Sequence, residues 1–124
     1  MIWRWFDQAY ECLARGEVDL GKGGTAALST QVQADGKAAE TLRSPAPIKL
    51  VDARVVRVGA DTGWVFSDLQ WGPEVSAEGV RSIVVSCAGK PMAYLPLDKS
   101  YDVVNGVFSV VVDPAAVLLL GNRR

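Results

Sequence analysis

The sequence predicts a mainly β protein, an antiparallel β-barrel or jelly-roll-like sandwich with one short N-terminal α-helix. Three observations predict this class. Short runs of β-branched and aromatic residues alternate with turn residues from about residue 48 onward. Convincing helical spacing of apolar residues occurs only near the N-terminus. The chain has 124 residues, 49% of them apolar, so we expect one domain, residues 1–124, with its own core.

The predicted helix covers residues 2–15 and ends before Gly16, a plausible C′ glycine. The apolar residues on one face of this helix are Ile2, Phe6, Ala9, Tyr10 and Leu13. Trp3 and Trp5 lie at the edge of that stripe. These two side chains either cap the core or contact a partner, because Trp is enriched at interface anchors.

Residues 21–47 are predicted to form a loop or arm that is either mobile or ordered by a partner. The first part is rich in Ala, Gly, Ser and Thr, although residues 25–32 could add a short strand. Gly21 to Thr25 resembles a phosphate-binding loop only superficially, because the spacing of that motif is missing.

The β-rich body is predicted over residues 48–120. Residues 48–58 fit two strands or one bent strand, and residues 59–63 fit a turn. Residues 64–69 fit a strand or a tight loop with three large apolar side chains.

Two consecutive hairpins are predicted between Arg81 and Asp113. The first turns at residues 88–91. The second turns at Asn105-Gly106, a dipeptide that tolerates the positive φ of a type I′ turn. The apolar run at residues 115–120 is predicted to be a strand or extended segment, buried in the core or in an interface.

No catalytic, metal or cofactor site is predicted, so we do not expect an enzyme. The chain has no histidine, its carboxylates show no calcium-loop pattern, and its serines lack a catalytic partner. Cys12 and Cys87 lack zinc spacing and are predicted to be buried thiols, with a disulfide left open. Trp64 and Trp71 leave a carbohydrate-binding module as a minor alternative.

Charge and hydropathy bear on partners and location. The 13 basic and 14 acidic residues provide no polycationic surface, so no nucleic acid is expected as a partner. No apolar run approaches the roughly 20 residues that cross a bilayer, so no membrane is expected either. The N-terminus lacks the apolar core of a signal peptide, and we expect a chain made in the cytoplasm.

Several short motifs, taken in order, resemble the capsid decoration (cement) proteins of tailed bacteriophages. The motifs are Trp5-Phe-Asp-Gln-Ala9, Gly16-Glu-Val-Asp-Leu20, Ile48-Lys-Leu-Val-Asp52, Val65-Phe-Ser-Asp-Leu69, Ser82-Ile-Val-Val85 with Pro91-Met-Ala-Tyr-Leu95, and the Asn105-Gly106 hairpin with its Val-Phe-Ser-Val-Val-Val-Asp run. The long segment from Gly21 to Ser44 departs from the pattern of that family.

The resemblance implies a compact β-barrel or jelly roll that binds the outside of a phage head and ties neighbouring major capsid protein subunits together. Its partners would be the major capsid protein and itself, as a homodimer or homotrimer, on the exterior of a capsid assembled in the host cytoplasm. The candidate interface residues are Trp3, Trp5, Lys22, Thr25, Leu28, Val32 and Leu42. A head-completion or tail-tube protein is the alternative within the virion.

Overall fold

Two antiparallel sheets make up the fold. The computed structural model describes residues 3–6, 9, 11–12, 15–16, 19–20, 23–31, 41–43, 45–58, 61–112 and 119–120. The strands are β1 (Arg4–Trp5), β2 (Thr25–Ser29), β3 (Ile48–Lys49), β4 (Arg54–Val58), β5 (Asp61–Val65), β6 (Leu69–Cys87), β7 (Lys90–Val110) and β8 (Leu119–Leu120). One sheet has the order β1-β7-β6-β2-β3 and the other β4-β5-β8. The prediction of a mainly β, antiparallel protein is confirmed, and within the described residues neither sheet closes on itself.

The N-terminal segment begins as a strand, so the predicted helix is wrong at its start. Arg4 and Trp5 pair with Tyr94 and Ala93 at one edge of the larger sheet. Arg4 is exposed while Trp3 and Trp5 are half-buried, which is the alternation of a strand. The backbone turns helical further on, where the Arg15 N–H donates to the Glu11 carbonyl at 3.0 Å. Several residues of the predicted helix lie outside the described part of the chain.

Strands β6 and β7 form one long hairpin, which replaces the two short hairpins predicted. The turn is the dipeptide Ala88-Gly89, with φ of 53° and 78°. Positive φ at both central residues is the mark of a type I′ turn. The first predicted turn is therefore confirmed, within a tighter two-residue loop.

The second predicted turn, at Asn105-Gly106, is wrong because this dipeptide lies inside β7. Val103 faces Ala77 and Gly106 faces Val75, so β7 uses three steps where β6 uses two. The unmatched residue makes a β-bulge, and Asn105 adopts a φ of 46° there. The sequence correctly indicates a positive φ at Asn105. This conformation belongs to a β-bulge and not to the predicted turn.

The half of the hairpin near the turn is covered on both faces. Ile83 and Val85 belong to the main core, while Val84 packs with Phe6 and Tyr94 on the opposite face. The Phe6 and Tyr94 rings lie 4.8 Å apart. Burial on both faces explains why this run is continuously apolar instead of alternating.

Strand β2 lies inside the segment predicted as a loop or arm; the short strand allowed over residues 25–32 is confirmed for residues 25–29, where the loop prediction is wrong. It pairs with β6 on one side and with β3 on the other. Ala26, Ala27, Leu28 and Ser29 are all buried. Because most of these side chains are small, the composition of this interior strand is similar to that of a loop. Residues 32–40 of the predicted arm lie outside the described residues.

The smaller sheet joins the main core through β5. Trp64 is fully buried, and its indole Nε1–H donates to the Leu20 carbonyl at 3.1 Å. Of the two options predicted for residues 48–58, two strands is correct, and β3 and β4 belong to different sheets. The turn predicted over residues 59–63 is wrong for residues 61–63, which belong to β5, and residues 59–60 lie outside the described residues. The strand predicted over residues 115–120 is confirmed at Leu119–Leu120, which pairs with β5, while residues 115–118 lie outside the described residues.

Candidate partner-binding surface

The half of the hairpin away from its turn packs one face on the main core but has fewer neighbouring strands than the half near the turn. We call it the ribbon: residues 69–80 of β6 with residues 97–110 of β7. Strand β2 pairs with β6 only from Ser82 to Ser86, and β1 pairs with β7 only at Ala93 and Tyr94. Among the described strands, none pairs with the outer edge of β7 beyond Tyr94. The backbone N–H and C=O groups along that edge are therefore available to another strand.

A groove of 510 Å³ follows the open edge of β7. It is lined by Leu97, Tyr101, Asp102, Val103, Val107, Phe108, Ser109, Val110 and Val111. All of these residues belong to β7 or directly follow it, and they come from both faces of the strand. A groove that takes side chains from both faces of one strand lies along the edge of that strand.

The aromatic side chains of the ribbon pack against one another, and two of them, Tyr101 and Phe108, line this groove. Phe108 makes edge-to-face contacts with Trp71, at 6.0 Å between ring centroids, and with Tyr101, at 6.3 Å. Trp71 is buried, and its Nε1–H has no hydrogen-bond partner among the residues that the structure describes. The ring contacts hold the floor of the groove in place.

The exposed large apolar side chains of the described residues lie in only two places. Val104, Val107 and Val111 are 77%, 48% and 82% exposed on or just after β7. Val51 and Val55 are 58% and 46% exposed on and just before β4. Both places are at strands with an open edge, so apolar surface and free backbone groups coincide.

The two places differ in charge. The ribbon and its groove carry the acidic residues Glu74, Glu78, Asp98 and Asp102 against the single basic residue Lys99. Residues 48–58 carry the basic residues Lys49, Arg54 and Arg57 against the single acidic residue Asp52. The chain is therefore acidic at one open edge and basic at the other, although its net charge is only −1.

A short hydrogen bond sets the ionisation of the groove rim. The Tyr101 hydroxyl donates to Asp98 Oδ1 at 2.6 Å, and the Lys99 Nζ lies 5.4 Å from the Tyr101 ring centroid. This hydrogen bond, with a smaller contribution from the Lys99 charge, lowers the pKa of Asp98. The same bond raises the pKa of Tyr101. Asp98 therefore stays ionised and Tyr101 protonated around neutral pH.

The interface residues predicted from sequence do not form one exposed patch. Trp3 packs edge-on to Phe66 at 5.7 Å, and Trp5 stacks on Trp64 at 6.3 Å. Both are half-buried, as expected for the core-capping alternative. Leu42 is also half-buried against the core.

The other members of that set differ in exposure. Leu28 is completely buried in the core, so it is wrong as a contact residue because its side chain reaches no partner. Thr25 is exposed at the start of β2. Lys22 and Val32 lie outside the described residues.

The valines of the ribbon were missed by sequence reasoning. The run from Val103 to Val112 shows mostly valine, and composition alone does not indicate which members face outward. The bulge at Asn105 changes the face assignment within the run, and its position depends on pairing with β6. The predicted hairpin turn at Asn105-Gly106 is wrong, and it gives these valines the wrong faces.

The tryptophans proposed for carbohydrate binding are wrong for that role. Trp64 is 0% exposed and Trp71 is 1% exposed, so neither ring face can stack on a sugar.

The two cysteines are free and buried, as predicted. Burial raises the pKa of the Cys87 thiol, whose Sγ lies 3.2 Å from the Gly23 carbonyl oxygen. A protonated thiol bonded to a carbonyl is a poor nucleophile.

Among the described residues, no three His, Cys, Asp or Glu side chains are placed to hold a metal ion. The same part of the chain contains no helix with the length and apolar character needed to cross a membrane. Comparisons of the chain with protein-family models, curated proteins and solved structures found no match.

Proposed function

We propose that the chain is a structural protein that acts by binding other proteins through strand edges. More particularly, we propose a cement protein of a tailed-phage capsid, which binds the outside of the head and ties neighbouring major capsid protein subunits together. The closed barrel or jelly roll typical of such proteins is part of this proposal, as is the location on the virion.

The observation that carries the proposal is the ribbon with its open, apolar edge. Val104 and Val111 are among the most exposed large apolar side chains described; Val111 lines the groove, and Val104 adjoins its lining residue Val103. Among the described strands, none pairs with this edge. Exposed apolar surface at an open strand edge invites aggregation unless a partner covers it. A protein that works only in an assembled shell has such a partner.

The support of the ribbon by the rest of the molecule fits the same role. The hairpin is fixed at one end between β1 and β2, with both faces buried there. The other half packs one face on the same core, through Leu69, Trp71 and Val80, and among the described strands none covers the outer edge of β7 there. Contacts of modest size suffice for a cement protein, because they are repeated many times over a closed shell.

The test is to add the purified chain to heads of the encoding phage that were assembled without it. Co-sedimentation at a copy number comparable with that of the major capsid protein is expected, followed by greater resistance of the heads to heat. A small copy number would instead indicate a head-completion protein. Absence from purified virions would overturn the proposal.

Point variants locate the contact on the chain. Val104→Asp and Val111→Asp, which place a carboxylate on the exposed edge, are expected to reduce head binding at least tenfold. Thr30→Asp is the matched control, because Thr30 is β-branched like valine and is exposed away from the ribbon. Lys22→Glu and Val32→Asp test the contribution of the predicted arm and leave the buried strand β2 intact.

A further inference from the structure

We infer that the groove on β7 receives strand β4 of a second copy of the chain, so that copies join head to tail. The inference goes beyond the proposed function, because it concerns how this chain binds itself with no capsid present. It rests on three properties of the two open edges: their backbone, their apolar side chains and their charge.

The backbone geometry of the two edges matches. Beyond the bulge at Asn105 and a second register shift after Gly106, β7 pairs regularly with β6 at Phe108, Ser109 and Val110. Strand β4 is five residues long and, among the described strands, pairs with β5 on one side only. Two short regular strands, each with one open edge, can form a continuous antiparallel or parallel ladder across a contact.

Both edges expose apolar side chains to a similar extent. Val55 on β4 is 46% exposed and Val107 in the groove is 48% exposed. Because the large exposed apolar side chains of the described residues are confined to these two edges, one contact between copies removes both from water. A symmetric contact would bury only one kind of edge and leave the other kind exposed on every copy.

Charge determines which edge meets which. Two copies of the acidic ribbon would bring Asp98 and Asp102 together, and two copies of β4 would bring the Arg54 side chains together. The contact of β4 with the ribbon instead places Arg54, which is exposed, near the acidic groove rim. Opposite charges favour this heterologous contact and disfavour both symmetric ones.

Shape leads to the same choice. The β7 edge is concave, and two concave edges placed against each other by a two-fold axis would enclose an unfilled space. A single strand with projecting valine and arginine side chains fills such a groove. Head-to-tail contacts of this kind produce either closed rings or open chains.

The test is sedimentation velocity of the purified full-length chain over a wide concentration range. The expected mass rises with concentration above the 13.3 kDa of one chain. Val104→Arg puts a cation on the exposed surface of β7 beside the groove residue Val103, and Val55→Glu puts an anion into β4. Each variant alone is expected to remain at the mass of one chain, with an unchanged circular dichroism spectrum.

An equimolar mixture of the two variants is the decisive sample. The intact groove of the Val55→Glu variant can meet the intact β4 of the Val104→Arg variant, so association is expected to return. Thr30→Arg and Thr41→Glu are charge-matched controls at exposed positions outside both edges, and should associate like the wild type.

Each other outcome overturns the inference. A wild-type chain at the mass of one copy at all concentrations would show that the edges serve a different partner. Association that survives Val55→Glu but not Val104→Arg would show a symmetric contact between two ribbons. A mixture that stays unassociated would also exclude the head-to-tail contact. The capsid-binding test is independent of all three results.

Discussion

The Asn105 backbone N–H donates to Ser76 Oγ at 2.8 Å across the ribbon. Asn105 has a φ of 46°, a left-handed conformation that β-branched side chains resist. We expect Asn105→Val to lower the free energy of unfolding by about 1–2 kcal/mol. Asn105→Gly should change it by less than about 1 kcal/mol, because glycine accepts this φ. Urea denaturation measures both, and equal effects would show that the bulge is absent.

The two buried tryptophans differ in their hydrogen bonds, which allows a matched comparison. Trp64 Nε1 donates to the Leu20 carbonyl, while Trp71 Nε1 is buried without a partner in the described part of the chain. Replacement by Phe removes a similar volume at both positions. Trp64→Phe should cost about 0.5–1.5 kcal/mol more than Trp71→Phe, because Trp64 gives up a hydrogen bond while the Leu20 carbonyl still accepts from the Gly23 N–H. A smaller loss for Trp64→Phe in urea denaturation would contradict this hydrogen-bond assignment.

Gly24 tests the interior position of β2. A Cβ at residue 24 would overlap the backbone carbonyl of Ser86, so β2 and β6 could not approach. We expect Gly24→Ala to cost about 3 kcal/mol or more. Gly89→Ala is the control, since nothing lies within 4 Å of a Cβ there and only its φ of 78° resists the change. That control should cost about 1–2 kcal/mol by thermal denaturation, and a comparable cost at both positions would argue against β2 as an interior strand.

Two phenylalanines distinguish the core from the ribbon. Phe66 is 2% exposed and packs with Trp3 and Trp64. Phe66→Ala should therefore cost about 3–5 kcal/mol. Phe108 is half-buried and belongs to the ribbon, so Phe108→Ala should cost only about 1–2 kcal/mol. A larger loss for Phe108→Ala would mean that the ribbon is more deeply packed than its exposure indicates.

The hydrogen bond between Tyr101 and Asp98 predicts a pH dependence with two signs. The lowered pKa of Asp98 stabilises the fold above the ordinary range of an aspartate, and this contribution is lost as the pH falls through the lowered value. The raised pKa of Tyr101 stabilises the fold below about pH 10, and this contribution is lost as the pH rises through the raised value. Both effects on stability are small, because the pair is exposed.

Tyr101→Phe provides the measurement for this pair. Loss of the donor hydroxyl should move the pKa of Asp98 up toward its ordinary value, as followed by carboxyl chemical shifts in an NMR titration. Lys99→Gln is the control, because Lys99 contributes less to the lowered pKa than the hydroxyl does. An unchanged Asp98 titration in Tyr101→Phe would show that the hydrogen bond is not populated in solution.

Local chemistry made part of the fold readable from the sequence. The sequence correctly predicts a positive φ at Asn105 and a strand at Ile83–Val85. Both properties depend on the residue itself and its immediate neighbours. Pairing depends on distant residues, so the position of Asn105 inside one long strand was not recognised. A short strand at β2 was allowed by the sequence, but its interior position was not recognised for the same reason, because its small side chains become core only beside β6.

The candidate surface was less accessible to sequence reasoning than the core. Trp3 and Trp5 were chosen because tryptophan is common at interfaces, yet both rings pack against the core. The exposed valines have the same composition as buried ones, and only the register of β7 separates Val104 from Val110. An exposed apolar edge is a property of topology, and a single sequence carries little of it.

The five register shifts of the long hairpin divide it into segments whose pairing registers are set separately. In an uninterrupted pair of strands, one inserted residue reverses the orientation of every side chain that follows. Here each irregularity already absorbs unmatched residues, so a change of length between two of them is compensated locally. A change in the length of the ribbon therefore leaves the packing of the half near the turn in place.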